Sequence, residues 1–175
     1  MVMSKKKGNR VEREIAKILK GRFNLEFCRV PQSGAVATVK KNTSLREDAK
    51  EILSGDIITP ENFRFSIEVK SRKGFSFFDF FSEKSELKSW LKQAEEESEI
   101  SNKFPLLIVK INYQPIFVMF KASRNFSEFL YNSWQIMLIE DFLSLADNVF
   151  LDWFYLTKIN YYAMIKEKRK NGRRN

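Results

Sequence analysis

Apolar residues near the start of the chain recur at intervals of three and four, which predicts an amphipathic helix with one apolar face. This face carries Val11, Ile15, Ile18 and Leu19. Asn9 precedes them and is placed to cap the helix. The same spacing returns over residues 87–98, where it predicts a second amphipathic helix.

Strand patterns lie between and beyond these two helices. Residues 63–70 alternate strictly between apolar and polar side chains, which is typical of a strand. Residues 52–59 form a second run, and the turn residues Pro60-Glu61-Asn62 between the two predict a hairpin. Before this hairpin we expect a strand over 25–30 and a polar loop over 31–50. After the second helix we expect another hairpin, formed by 106–111 and 116–120. Residues 125–147 then predict a helix, a strand over 135–139 and a short helix, and the final 28 residues predict a last helix.

The order of these elements predicts an α/β protein. A helix followed by three strands, a helix and two strands favours a central mixed sheet with helices packed on it. The 175 residues are the size of one domain, so we expect a single domain over 1–175. We place its core at about residues 8–120, a C-terminal helical extension at about 121–165 and a basic tail at 166–175.

The charge balance predicts a polyanionic partner. Lys and Arg number 31 against 22 Asp and Glu, which gives a net charge of +9. Apolar residues make up 43% of the chain, so a disordered chain is excluded. No apolar run approaches the roughly 18 residues of a membrane span, and we expect no membrane partner.

Two rare residue types narrow the chemistry. The chain has no His, which excludes a Ser-His-Asp triad, a Cys-His pair and zinc sites built on His. Cys28 is the single cysteine, so no intrachain disulfide can form, and we expect a cytoplasmic, reducing location. Chemistry on phosphate would therefore depend on carboxylates, Lys and a hard cation such as Mg²⁺, which takes oxygen ligands.

The hairpin brings acidic residues and an amine together. If its turn centres on residues 61–62, Asp56 lies opposite Ile67 or Glu68, at the short spacing of facing strand positions. Lys70 projects from the same face as Glu68, two residues away. A cation between the two acids would relieve their repulsion, and a cross-strand salt bridge is the purely structural alternative.

The first helix supplies a further acid. Glu12 borders one side of its apolar face and Glu14 borders the other, whereas Arg13 points towards solvent. Helix geometry alone allows either acid to reach the edge of the sheet on which the helix packs.

Several short motifs follow one another along the first two thirds of the chain. They are KGNRVEREI at 7–15, Arg29 with Ser33-Gly34, Gly55-Asp56-Ile57, Ile67-Glu68-Val69-Lys70, and WLKQA at 90–94 followed by PLLIVK at 105–110. Their order over about residues 5–120 resembles the archaeal-type Holliday junction resolvases and their phage-encoded relatives, in the PD-(D/E)xK nuclease superfamily. Gly55 stands where that family usually has Pro, a departure that does not affect the acids.

This resemblance implies a restriction-endonuclease-like αβββαβ core and a Mg²⁺-dependent endonuclease of DNA recombination, with Mn²⁺ as a substitute metal. It implies a homodimer that cuts branched DNA, with four-way junctions preferred. Between the two helix acids the family pattern selects Glu12. The implied site residues are Glu12, Asp56, Glu68 and the Val69 carbonyl as metal ligands, Lys70 as the group that orients the attacking water and stabilises charge on the phosphate, and Gln93 as a support.

Other residues are expected to contact DNA or a second subunit. The expected DNA contacts are Lys7, Arg10, Arg13, Arg29, Ser33, Lys40, Lys41 and Arg46, with solvated surface as the alternative for each. Five Phe residues lie between 75 and 81; we expect them to pack in the core, with a dimer interface as the alternative. The segment 148–166 is a second candidate for that interface.

Two other function classes are open at this point. A restriction-like nuclease on linear duplex DNA would need the same acids and lysine. A non-catalytic basic DNA-binding protein would need only the positive charge, and its acids would then form ordinary ion pairs.

Overall fold

The computed structural model describes residues 2–31, 52–83 and 85–152, and the side chains among them from residue 8 onward. The predicted polar loop after residue 31, the end of the last predicted helix and the basic tail lie outside these ranges. No helix in the described ranges is long and apolar enough to cross a membrane.

The first helix, α1 (Val2–Phe23), lies with its apolar face on the sheet. Its buried residues include Val11, Ile15 and Leu19, as the spacing predicts. The prediction that Asn9 caps the helix is wrong, because α1 begins at Val2 and places Asn9 well inside it. The Asn9 side chain instead accepts a hydrogen bond from Arg29 at 2.9 Å.

Seven strands in the described residues form one sheet in the order β1-β2-β3-β4-β5-β7-β6. They are β1 (Cys28–Arg29), β2 (Ile57–Ile58), β3 (Phe65–Arg72), β4 (Phe104–Ile111), β5 (Phe117–Phe120), β6 (Phe129–Tyr131) and β7 (Trp134–Leu138). The β3–β4 pair is parallel and the other pairs are antiparallel, which makes the sheet mixed. This confirms the predicted α/β class with a restriction-endonuclease-like order of elements.

The remaining helices lie on both sides of this sheet. Besides α1 they are a short 3₁₀ helix (Phe77–Phe80), α2 (Glu86–Ser101), α3 (Ile139–Ser144) and α4 (Asp147–Phe150). α2 carries the crossover that a parallel β3–β4 pair requires. It packs on the sheet face formed by Leu107 and Val109, while α1 packs on the opposite face, formed by Leu106 and Ile108. The site described below lies where these two helices approach β2 and β3.

Strand β2 is much shorter than the predicted 52–59. Gly55 has a φ of +75°, a conformation that L side chains rarely adopt, and this ends the extended run just before Ile57. A Cβ at Gly55 would lie 2.6 Å from the carbonyl oxygen of Ile67. The glycine therefore allows its backbone to press directly against β3.

The helix predicted at the start of 125–147 is wrong, since β6 occupies that place and pairs with β7. Asn132 and Ser133 join the two strands with φ values of +45° and +68°. Two consecutive positive φ values make the tight turn that suits a hairpin, and glycine is the usual signal for it. The sequence here has no glycine, so the hairpin was not predicted.

The Phe-rich stretch divides between the core and the surface. Phe75 and Phe80 pack on the α2 side of the sheet, as predicted for core residues. Phe77, Phe78 and Phe81 are instead 69%, 76% and 69% exposed, so the prediction of core packing is wrong for these three. Phe77 and Phe78 lie on the 3₁₀ helix, whose first turn is capped by the Ser76 hydroxyl and the Asp79 carboxylate, and Phe81 directly follows this helix.

Candidate active site

Asp56 lies between the Gly55 turn and the first residue of β2, Ile57. Its amide donates to the Ile67 carbonyl oxygen at 2.8 Å, and its carbonyl accepts from the Val30 amide at 2.9 Å. Its carboxylate accepts a hydrogen bond from the Val69 amide, also at 2.9 Å. The side chain thus reaches across to the main chain of β3, at the residue that follows Glu68.

Glu68 lies in the middle of β3 with only 2% of its surface exposed. Its carboxylate accepts a hydrogen bond from the Lys70 amine at 2.5 Å. Burial, followed by the negative charge of Asp56, raises the pKa of Glu68 from about 4.5 to about 8, although Lys70 acts in the opposite direction. The sheet therefore holds this carboxyl group where its negative charge is disfavoured and where a cation would stabilise it.

Lys70 is held by two partners on different elements. Besides Glu68, its amine donates to the Gln93 side-chain oxygen at 2.8 Å. Gln93 lies on α2, so the helix and the strand together fix the position of the amine. The side chain of Lys70 is 16% exposed. A fixed amine with limited access to solvent is suited to stabilise charge on a phosphate group.

Glu12 faces this cluster from α1. It is 8% exposed and accepts a hydrogen bond from the Arg29 guanidinium. Burial and then the charge of Asp56 raise the pKa of Glu12, while Arg29 opposes the shift. Glu14 is exposed and approaches Lys110 at 4.0 Å, away from Asp56. The structure thus places Glu12, and not Glu14, in the electrostatic neighbourhood of Asp56.

Glu97 also reaches the site, although no sequence motif predicts it. Its carboxylate accepts a hydrogen bond from the Gly55 amide at 3.0 Å. Its charge contributes to the raised pKa of Glu68, after burial and the charge of Asp56. The sequence shows only that Gln93 and Glu97 are one helical turn apart and so share a helix face, which does not identify the Gly55 amide as the partner of Glu97.

The expected DNA-contacting residues are spread differently. Arg29 is engaged with Glu12, and its side chain is 16% exposed. Arg10 and Arg13 are exposed on α1. The side chain of Lys7 lies outside the described part of the chain, as do Ser33, Lys40, Lys41 and Arg46. Contacts of all these residues with DNA stay predictions.

The donor chemistry of the cluster fits a hard divalent cation. Asp56 and Glu68 offer carboxylate oxygens, Val69 offers a main-chain carbonyl, and Mg²⁺ prefers oxygen ligands. Within the described residues, no group of three or more His, Cys, Asp or Glu side chains stands ready to hold a metal ion. Burial and then the charge of Asp56 disfavour the charged form of Glu68, and a cation between the two carboxylates would offset the repulsion.

Comparison with known protein families gives a match over most of the chain. The model of a family described as "Phage putative PDDEXK endonuclease" matches residues 3–167. Searches of curated proteins and of solved structures found no match. The matched residues include every residue of the cluster described above and cover nearly the whole chain of 175 residues.

Proposed function

The chain belongs to the phage PD-(D/E)xK endonuclease family, and from that premise we propose that it is a metal-dependent endonuclease that cuts branched DNA. The observation that carries this proposal is the pair of buried acids, Asp56 just before β2 and Glu68 on β3, with the amine of the half-buried Lys70 beside them. Two acids and an amine in this arrangement are poorly explained as an ordinary ion pair. Burial and then the charge of Asp56 raise the pKa of Glu68 to about 8 even with Lys70 in contact, so the lysine does not fully offset the cost of the buried negative charge.

The residues of the chain would share the work as follows. Asp56, Glu68 and the Val69 carbonyl would hold Mg²⁺, with Glu12 close by and Mn²⁺ as a substitute. When bound, the cation supplies a lowered pKa for an attacking water and positive charge beside the phosphate. Lys70, fixed by Glu68 and Gln93, orients the water and stabilises the negative charge that develops on the phosphate.

We further propose a four-way junction as the preferred substrate and a homodimer as the active form. The order of motifs over the first two thirds of the chain supports the substrate. A two-fold dimer would present two matching sites to the paired strands of a junction. The net charge of +9 supports a nucleic acid partner, and the single Cys28 supports a reducing, intracellular setting.

A nicking assay tests this proposal. The protein is incubated with a four-way junction and with a linear duplex of the same sequence, with Mg²⁺, with Mn²⁺ and with a chelator. We expect cleavage of the junction with either metal and none with the chelator. Preferential cutting of the duplex would favour a restriction-like nuclease. Tight DNA binding without cleavage in any metal would indicate a non-catalytic binding protein.

A further inference from the structure

Helix α2 presents two polar side chains, one turn apart, to the two strands that carry the site. Gln93 accepts a hydrogen bond from Lys70 of β3 at 2.8 Å. Glu97 accepts one from the amide of Gly55, which precedes β2, at 3.0 Å. The helix thus contacts both halves of the cluster, and only the Gln93 contact is expected from the family resemblance.

The backbone at Gly55 passes very close to β3. A φ of +75° and a Cβ position 2.6 Å from the Ile67 carbonyl oxygen show how closely the chain passes β3 here. The next residue is Asp56, whose carboxylate accepts from the Val69 amide. The hydrogen bond from Gly55 to Glu97 spans 42 positions and fixes the turn from the side of α2. A shift of this turn would move Asp56 directly.

We propose that Glu97 is a positioning residue, which holds the Gly55 turn and thereby sets the Asp56 carboxylate in its place beside Glu68. This inference rests on the proposed function in assigning Asp56 to the metal and to catalysis. Glu97 acts through the Gly55 amide, so the hydrogen-bond acceptor is the property that matters, and a neutral acceptor of the same shape should serve. A hydrogen bond to a charged acceptor is stronger than one to a neutral amide, so the replacement is expected to be partial.

Two variants distinguish the loss of the hydrogen-bond acceptor for Gly55 from the loss of the negative charge of Glu97. Glu97→Gln keeps an acceptor oxygen for Gly55, and Glu97→Ala removes it. Glu96→Ala is the matched control, because Glu96 is the exposed neighbour on α2 and lies 3.8 Å from Lys92 in an exposed pair. Thermal unfolding of all three establishes that each variant is folded at the assay temperature.

The first measurement does not depend on activity. Amide hydrogen exchange, followed by NMR in the metal-free protein, reports on the Gly55 N–H directly. In Glu97→Ala we expect its exchange to be at least about tenfold faster than in the wild type, while Glu97→Gln and Glu96→Ala stay close to it. Mn²⁺ binding without DNA, measured by electron paramagnetic resonance, should weaken in Glu97→Ala and be largely restored in Glu97→Gln.

The second measurement is the split between kcat and KM for DNA cleavage. A misplaced carboxylate should lower kcat of Glu97→Ala about 10- to 100-fold with little change in KM, and Glu97→Gln should recover most of that loss. Wild-type exchange at Gly55 and wild-type kcat in Glu97→Ala would overturn the inference. If the wild-type protein itself does not cleave DNA, the proposed function fails, and the exchange and Mn²⁺ measurements still decide whether Glu97 holds the turn.

Discussion

The carboxyl group of Glu68 gives a pH dependence that can be measured without any substrate. Its pKa is about 8 in the folded protein, because burial and then Asp56 disfavour the charge, and near 4.5 when unperturbed. Between these values the folded state holds a proton that the unfolded chain releases. The free energy of unfolding should therefore fall as the pH rises from about 4.5 to about 8 and level off above that.

Glu68→Gln removes this titration and should flatten the fall. Urea unfolding of the metal-free wild type and variant at about pH 5 and about pH 8.5 gives the change in the free energy of unfolding between the two pH values for each protein. Other titrating groups contribute equally to both proteins, so the difference between these two changes reports Glu68, and we expect it to be on the order of a few kcal/mol. Equal pH dependence of the two proteins would show that Glu68 does not titrate in this range. Added Mg²⁺ should stabilise the wild type more at the higher pH, because a metal ligand must be deprotonated.

Asp56 allows cleavage to be separated from DNA binding. Asp56→Asn keeps an oxygen that can accept from the Val69 amide, so we expect the fold to survive. Cleavage should fall by at least about 100-fold because a metal ligand is lost, whereas DNA binding should be unchanged or tighter because a charge that repels phosphate is gone. Nicking assays and fluorescence anisotropy measure the two effects, with Glu99→Gln on the exposed face of α2 as control. Equal losses of binding and cleavage would indicate a folding defect instead.

At the scale of elements, the approach of β2 to β3 depends on one glycine. Gly55→Ala would place a methyl group 2.6 Å from the Ile67 carbonyl oxygen at a positive φ. We expect a loss of about 2 kcal/mol or more in the free energy of unfolding, measured by urea denaturation. Gly74→Ala is the matched control, because nothing lies within 4 Å of its Cβ position, and it should change stability by less than about 0.5 kcal/mol. Similar effects of the two substitutions would contradict the close approach at Gly55.

The elements that periodicity predicted well are those whose pattern is local. The alternation over 63–70 located β3 to within two residues, and the spacing over 87–98 located α2. The β6–β7 hairpin was missed because Asn132 and Ser133 adopt positive φ values without a glycine to signal them. The turn of a hairpin can be recognised from residue types only when the usual residues are present.

The candidate site also contains residues that the sequence predicted and one that it could not predict. Strand pairing and the family resemblance together pointed to Asp56, Glu68 and Lys70, and the structure brings these residues together. Glu97 could not be predicted from spacing alone, since its contact with Gly55 depends on how α2 packs against the strands. That packing is a tertiary property, and the polar residues on a helix give no indication of which backbone amide they will meet.

For the whole molecule, the exposed aromatic residues in and directly after the 3₁₀ helix concern the proposed homodimer. Phe77, Phe78 and Phe81 are all more than two-thirds exposed, and apolar patches of this kind often mark interfaces. Phe78→Ser should weaken the dimer at least about tenfold, measured by analytical ultracentrifugation, with little effect on monomer stability. Tyr113→Asn, at a fully exposed position with a φ of +60°, is the control. A wild-type protein that sediments as a monomer at micromolar concentration, with and without DNA, would contradict the dimer itself.

The parallel pairing of β3 with β4 also has a consequence for the order in which the chain acquires its properties. Antiparallel neighbours can pair as soon as a short turn is made, but β3 must wait for the whole of α2 and then β4 to follow it. Until that crossover closes, Lys70 lacks Gln93 and the Gly55 amide lacks Glu97. During synthesis, a chain in which β4 has not yet paired with β3 therefore contains all the acidic residues of the cluster, but they are not yet assembled. A chain released before β4 should therefore lack the assembled cluster, and the proposed nuclease would become active only after translation of the core is complete.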